Sequence, residues 1–426
     1  MNISGKKALG YLLVFAGTVL LLLTLLCMAA KIPREAIRPH SLESAEYMCE
    51  GDLYAKMVKN TLGTEIDHYA DSILLNIAWN YEREYTLRSV LLSAYYYSPE
   101  YDENVNYLLS VREGGKANQQ YLRYWHGSIA IVRPLLILMS VRGIYILNAI
   151  LLFVLFAAIM VILIRKHEPA PALGLLLGSI FTRWYVAPLA LEYIWMCLLS
   201  LVSCLVILSF HTKAKQRWYG YLFMIVGITA NYLDFLTTET LTLTLPLLLL
   251  LWLERKNGES LRTTLKATLM WGIGYIGMWI AKWLLTALVF GEDVRPYVTE
   301  HIAERLGGDV GVSLPLYLIM AVYRNIACTF PFSLGIPGVI AAVIILFVAV
   351  ALGIIYRCEN IDKKLIILII MAGAVPFVRY LVLHNHSYVH YFFTYRALAA
   401  TVLAFVLILA ELLGSRPWRK RHAGED

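Results

Sequence analysis

Residues 66 to 79 read IDHYADSILLNIAW and hold two carboxylates, Asp67 and Asp71, four positions apart. On a helix this spacing puts both groups on one face, with about 5–6 Å between Cβ atoms. Like charges that close disfavour joint ionisation, so one of them is suited to take a proton from a hydroxyl. Two solvated loop acids would show the same spacing, and position decides between the readings. Ile66, Ala70, Ile73, Leu74 and Ile77 form an apolar stripe at helical period beside the pair. An acid at such a boundary is harder to ionise than one in open water.

A second chemical group is YLRYWHGSIAIVRPLL, residues 121 to 136, with Arg123, Trp125, His126 and Arg133. Tyr and Trp are ordinary residues of a membrane interface, whereas clustered arginines match phosphate oxygens through parallel hydrogen bonds. A third is HNHSYVHYFFTYR, residues 384 to 396, which combines His384, His386 and His390 with Tyr388, Tyr391, Tyr395 and Arg396. His386 and His390 share a helix face, but no carboxylate or cysteine joins them locally and zinc takes three or four ligands. The stretch therefore reads as a wall for phosphate or sugar hydroxyls and not as a metal site. A divalent metal elsewhere stays open, and no cofactor is specified.

More ionisable groups stand where apolar runs end: Arg183, Glu192, Asp234, Glu239, Lys282, Arg324 and Arg379. A single Arg or Lys there can snorkel to the headgroups. Together they predict a polar cavity, because charges at membrane depth generally face water or protein. Arg379, Arg396, Arg324 and Lys282 are the expected phosphate clamp. His384, His386, His390, Tyr388, Tyr391, Tyr395, Trp125, His126, Arg123, Arg183 and Asp234 are the expected pocket.

The elements that must position these groups are membrane helices. The 426 residues are 59% hydrophobic and 16% charged, with a mean hydropathy of +0.63, which is too apolar for a soluble globule. A span needs about 20 apolar residues. Spans are expected near 8–30, 134–164, 170–187, 189–210, 218–235, 238–253, 267–290, 335–356, 365–383 and 397–414. The predicted fold is an all-α polytopic helix bundle of about ten transmembrane helices, a single transmembrane domain over 1–426. The first run is longer than a signal-peptide core of roughly 7–15 residues, so it reads as a retained span, with cleavage after Ala30 as the other option.

Charge sets the orientation. Lys6, Lys7, Arg165, Lys166, Lys213, Lys215, Arg217, Arg255, Lys256, Arg262, Lys266, Arg357, Lys363, Lys364, Arg416, Arg419, Lys420 and Arg421 all fall on one side of this scheme. Short basic loops are cytoplasmic, so the expected protein is a multi-pass cell-membrane protein with both termini cytoplasmic and a basic tail at 415–426. The net charge of +7 reports this orientation and not a nucleic-acid partner. Two extracytoplasmic segments are long, 31–133 with amphipathic helices and 291–335. Loops of that length are usually functional. Residues 313–338 read as re-entrant or interfacial, with a spanning helix as the alternative, since Arg324, Pro331 and Pro337 interrupt them.

Cys27, Cys49, Cys197, Cys204, Cys328 and Cys358 form no CxxC and read as small hydrophobes. No GxxxxGK[ST] or HExxH occurs, which argues against nucleotide hydrolysis and zincin chemistry.

An acidic pair in a long loop after the first span, followed by a many-helix bundle with cations on the outer side, resembles the GT-C superfamily of membrane glycosyltransferases. The likeness is carried by IDHYADSILLNIAW, YLRYWHGSIAIVRPLL and NHSYVHYFFTYRA. The topology spans nearly the whole chain and the motifs only a small part of it. Where the family commonly has adjacent acids near the start of the loop, this chain has Glu50-Gly51-Asp52. The resemblance implies a polyprenyl-phosphate-linked sugar donor, a glycan, lipid or protein acceptor, and inverting transfer with Asp67 or Asp71 as the base. A transporter or flippase of a lipid-linked saccharide, and a non-catalytic membrane protein, are the alternatives. Against a carrier stand the long first loop and the lack of an evident internal repeat.

Overall fold

The computed structural model describes residues 5–211, 218–255, 260–291, 296, 299–300, 303–304, 307, 311–356 and 361–414. Lys213, Lys215, Arg217, Lys256, Arg357, Cys358, much of 292–310 and the tail 415–426 lie outside the described residues.

Among the described residues the regular elements are helices. The first, α1 (Gly5–Ala30), is followed by five shorter ones: α2 (Arg34–Met48), α3 (His68–Asn80), α4 (Thr86–Leu92), α5 (Glu103–Arg112) and α6 (Ile129–Leu135). Next come α7 (Val141–Arg165), α8 (Pro169–Phe181), α9 (Ile194–Phe210), α10 (Tyr219–Leu233), α11 (Leu241–Glu254) and α12 (Ser260–Phe290). The chain then forms α13 (Leu314–Ala327), α14 (Ile336–Ile355), α15 (Lys363–Val382), α16 (His384–Val389), α17 (Tyr391–Thr394) and α18 (Ala399–Leu413).

Six helices among the described residues are long and apolar enough to cross a membrane: α1, α7, Leu261–Phe290 of α12, α14, α15, and Tyr391–Leu413 through α17 and α18. The chain is a multi-pass membrane protein. The expected spans at 170–187, 189–210, 218–235 and 238–253 correspond to α8, α9, α10 and α11, with 13, 17, 15 and 14 residues. At 1.5 Å per residue, 14 residues reach roughly 21 Å, short of a hydrocarbon core of about 30 Å. α13, also 14 residues long, is likewise too short to cross alone.

α11 is apolar on every face and buried from Leu241 to Glu254 except at Leu253. A helix of that kind belongs in the middle of a bundle, and α9, α12, α15 and α18 surround it.

The expected second span, 134–164, breaks into two helices. Ser140 is extended, the Val141 N–H donates to Ser44 Oγ of α2 at 2.9 Å, and Ser140 Oγ donates to Glu43 at 2.8 Å. Helix α2 thus supplies the partners that an N-terminus lacks, and α7 starts there.

α3 departs from the amphipathic expectation. Its residues from Asp71 to Asn80 are all buried, because α2, α5 and α6 cover the face that the sequence pattern leaves polar. Its last carbonyls find cations: Arg34 donates to Trp79 O at 3.1 Å and Asn80 O at 3.0 Å, and Arg133 donates to Ala78 O. Arg133 therefore caps a helix C-terminus, which carries partial negative charge.

Helices α10 and α12 meet at backbone distance. A Cβ on Gly227 would stand 2.2 Å from Trp271 O, and one on Gly274 would stand 2.2 Å from Met224 O. Small residues let membrane helices approach to backbone contact. Gly274→Leu is expected to lower the melting temperature sharply, because the two backbones must separate. Gly272→Leu, where a Cβ meets nothing within 4 Å, is expected to leave it unchanged. Size-exclusion chromatography after graded heating checks both, and equal losses would show that this contact does not hold the bundle.

Candidate active site

Three segments far apart in sequence converge on one cleft of about 90 Å³. The start of α3 contributes Asp67 and Tyr69, the 121–126 segment contributes Tyr121, Tyr124 and His126, and the 386–393 segment contributes His386, His390 and Phe393. Glu192, Tyr54 and Phe235 also line it, with Ala70, Ile73 and Leu74 of α3.

Asp67 is the N-cap of α3 and lies just outside the helix. Its carboxylate accepts from Ala70 N at 2.9 Å and from Tyr193 Oη at 2.9 Å. Capping by Asp satisfies an orphan N–H of the first turn. Burial pushes its pKa up to about 6, against the opposing pull of these donors. It therefore stays mostly ionised at neutral pH and is strong enough as a base to share a proton there.

Asp71 is buried one turn further along and does not line the cleft. Its carboxylate accepts the Tyr145 hydroxyl and, with both oxygens at 2.9 Å, the Leu191 N–H; the Glu192 N–H points to it as well. Burial drives its pKa up to about 8. Asp71 thus fastens the backbone that carries Glu192, while Asp67 faces the open space. The two acids of the pair have different tasks, which spacing alone left open.

His126 is 1% exposed and its φ of 52° is in the left-handed region. Nε2 lies 3.1 Å from Tyr121 O, and Nδ1 has no hydrogen-bond partner. Since a carbonyl only accepts, the ring proton is on Nε2 and Nδ1 keeps its lone pair. Burial, reinforced by the Lys282 charge, lowers the pKa to about 3, so the imidazole is neutral.

The expected phosphate clamp is not an open one. Lys282 donates to Leu91 O at 2.8 Å and Val90 O at 3.3 Å and sits over the Trp125 ring, so it caps α4. Arg379 pairs with Glu239 at 2.9 Å and donates to Ser387 Oγ at 3.0 Å, to Leu236 O and to His386 Nδ1 at 3.4 Å. Arg396 lies over the Tyr193 ring at 4.7 Å and reaches Phe392 O and Gly63 O only at 3.3 and 3.4 Å. Arg324 stacks on Tyr388 and Tyr391 at 4.4 and 4.0 Å and donates to Tyr388 O at 3.0 Å, and it is half-buried. None of the four lines the cleft. Buried cations seek carbonyls and carboxylates, because an unpaired charge away from water is costly.

Several expected pocket residues stand behind the cleft. Trp125 donates to Met278 O at 3.0 Å, Arg183 donates to Leu62 O at 2.9 Å and to Ser333 and Cys328, and Asp234 closes a turn onto Thr237. Tyr395 donates to Gly63 O at 2.7 Å, His384 and Tyr388 pack on Tyr317, and Arg123 pairs with Glu304 at 2.7 Å. Tyr391 lies under Arg324. These residues join the segments that form the walls.

No family model matches the chain, and neither a curated protein nor a solved structure does.

Among the described residues, no three His, Cys, Asp or Glu side chains are grouped to hold a metal ion. Glu192 was signalled in the sequence only as one of several charged residues at helix ends. Tyr54 carried no signal at all.

Proposed function

We propose that the protein is a membrane glycosyltransferase of the GT-C type that moves a sugar from a polyprenyl-phosphate-linked donor to an acceptor hydroxyl, with Asp67 as the general base. The observation that supports this most is the meeting of the three resembling segments around one cleft in which, among the described residues, Asp67 is the lining aspartate.

In this reading α8 to α11 also cross, within a bundle that shields their short lengths, which makes about ten crossings. Both termini are then cytoplasmic. Tyr54, Asp67, His126, Glu192, Phe235 and His390 all lie at helix ends or loops on the extracytoplasmic side. Lys6, Lys7, Arg165, Lys166, Arg255, Arg262, Lys266, Lys363 and Lys364 lie on the opposite side.

The acceptor hydroxyl gives its proton to Asp67 as its oxygen attacks the anomeric carbon. The bond from that carbon to the phosphate oxygen breaks, and the lipid phosphate leaves with the electron pair. Arg324 is the half-exposed cation beside the 388–391 wall and is placed to stabilise that charge. Tyr193 and the Ala70 N–H orient the base.

Proteoliposomes given a polyprenyl-phosphate hexose and a mixed glycan acceptor test the reading. Release of polyprenyl phosphate together with a new glycosidic bond is expected. Movement of intact lipid-linked sugar to the other leaflet with no new bond would make the protein a carrier. Arg324→Ala is expected to raise KM for the lipid donor about 10-fold or more, as for loss of one charge-assisted hydrogen bond, with little change in melting temperature. An unchanged KM would remove Arg324 from the phosphate site.

A further inference from the structure

One side chain joins Asp67 to a buried cation. The Tyr193 hydroxyl donates to Asp67 Oδ2 at 2.9 Å, and the Arg396 guanidinium stands over the same Tyr193 ring, 4.7 Å from its centroid. A cation within about 6 Å of a ring centroid is drawn to the ring face. The three residues come from separate segments: Asp67 just before α3, Tyr193 just before α9, and Arg396 in the short turn Tyr395–Leu398 that leads into α18. They are 2%, 2% and 1% exposed, so little water screens one from the next. Among the described residues no ion pair ties Arg396 to a carboxylate. Its hydrogen bonds run to Phe392 O and Gly63 O at 3.3 and 3.4 Å, and Nε makes none. Arg379 has its charge met directly by Glu239 at 2.9 Å, whereas the charge of Arg396 falls on the tyrosines around it.

We infer that Arg396 is a positioning residue for the base: it polarises the Tyr193 hydroxyl, and that hydroxyl holds Asp67 in the ionised form that accepts a proton. Positive charge beside the ring makes the phenol O–H a stronger donor, and a hydrogen bond given to a carboxylate favours its charged form. Burial and then the Asp67 charge push the Tyr193 pKa well above its usual value, while the Arg396 charge pulls the other way. The phenol therefore keeps its proton and goes on donating. On Asp67 itself burial raises the pKa, and the Ala70 N–H and the Tyr193 hydroxyl restrain it to about 6. Asp71, Tyr54, Tyr69 and Tyr145 also face Asp67, and each is a like charge once ionised. Glu192 and the histidines His126, His386 and His390 share its cleft, so a test must report on Asp67 alone. The inference rests on the transferase reading for the role of Asp67 as base, but the ionisation it describes is measured without turnover.

Infrared titration of the full chain in lipid nanodiscs, with isotope-labelled aspartate, tests it. Subtracting from each protein the spectrum of its own Asp67→Asn form isolates the Asp67 carboxyl band, and a histidine that titrates in the same range cancels. The wild-type midpoint is expected at about 6. Arg396→Gln, which withdraws the charge and keeps an N–H donor for the neighbouring carbonyls, is expected to raise it by about one unit, a ten-fold weaker acid. Arg396→Lys, which keeps the charge, is expected to undo most of that shift. Tyr193→Phe is expected to raise the midpoint as well, and Arg396→Gln added to Tyr193→Phe to raise it little further, because the charge acts through the missing hydroxyl. An unmoved midpoint in folded Arg396→Gln, equal shifts in Arg396→Gln and Arg396→Lys, or fully additive shifts in the double variant would each overturn the inference. Should Arg396→Gln fail to fold, an unmoved midpoint in Tyr193→Phe overturns it alone. A protein that shows the expected shifts but forms no glycosidic bond would overturn the transferase reading and leave the link from Arg396 to Asp67 standing.

Discussion

Asp67→Asn is expected to lower kcat by roughly 10²- to 10⁴-fold, the usual contribution of a positioned general base, while the protein keeps its fold. Asn caps helices about as well as Asp and still offers a carbonyl oxygen to the Ala70 N–H and the Tyr193 hydroxyl. The substitution therefore removes the proton acceptor and little else. In wild type, kcat/KM should fall as pH drops through about 6, because protonating Asp67, whose pKa burial has raised to about 6, removes the base. Above that pH the acidic limb should be flat.

The sign for stability is opposite to that of an ordinary paired aspartate. A folded pKa above the unfolded value means that the native state holds its proton more tightly. The contribution is fully present below the unfolded pKa of 3.8 and is lost as pH rises through about 6. Asp71→Asn should behave differently from Asp67→Asn. Turnover is expected to stay within about 10-fold of wild type, in line with the cost of one imperfect hydrogen bond. A rate profile for purified variants over pH 4.5 to 8 separates the two. Equal collapse of both would assign the base to the pair and not to Asp67.

The second large effect concerns stability. Arg379→Ala is expected to cost about 3–5 kcal/mol, because it strands the buried Glu239 carboxylate without its partner. The side chains of Arg379 and Glu239 are 4% and 6% exposed. The double variant Arg379→Met, Glu239→Leu should recover much of that loss, since replacing both members of a buried pair with apolar groups is often neutral. Thermal melts in detergent measure it. A well-folded Arg379→Ala protein with weakened donor binding would instead place Arg379 in the phosphate site.

These two cations, which bond to the neighbouring residues Ser387 and Tyr388, thus separate structure from chemistry, and the sequence shows why they looked alike. Arg379 and Arg324 both stand near the ends of apolar runs, and position along a chain reports depth in the membrane. It does not report which carbonyls and carboxylates fold against a guanidinium. Glu239, 140 residues away from Arg379, takes up its charge. Lys282 was misread for the same reason, because its partners Val90 and Leu91 lie some 190 residues upstream.

Full-length spans were legible wherever an unbroken apolar run had the length a bilayer demands, as in α7 and α14. The short helices α8 to α11 were harder to read. Apolar composition marks burial, and burial by protein looks the same in sequence as burial by lipid. α3 shows a further limit: its helical period was visible, but the elements that cover its second face come from α2, α5 and α6. The three segments that form the cleft were each readable from residue type. That they meet was not, and neither was Glu192, whose orientation depends on a backbone held by Asp71.

Electron cryo-microscopy of the protein with a bound polyprenyl-phosphate hexose tests the central claim most directly. The expected complex has the anomeric carbon of the hexose at the mouth of the cleft, on the side of Asp67, and the phosphate beside Arg324. Donor density with the phosphate at the opposite, basic end of the bundle, or an anomeric carbon turned away from Asp67, would contradict it.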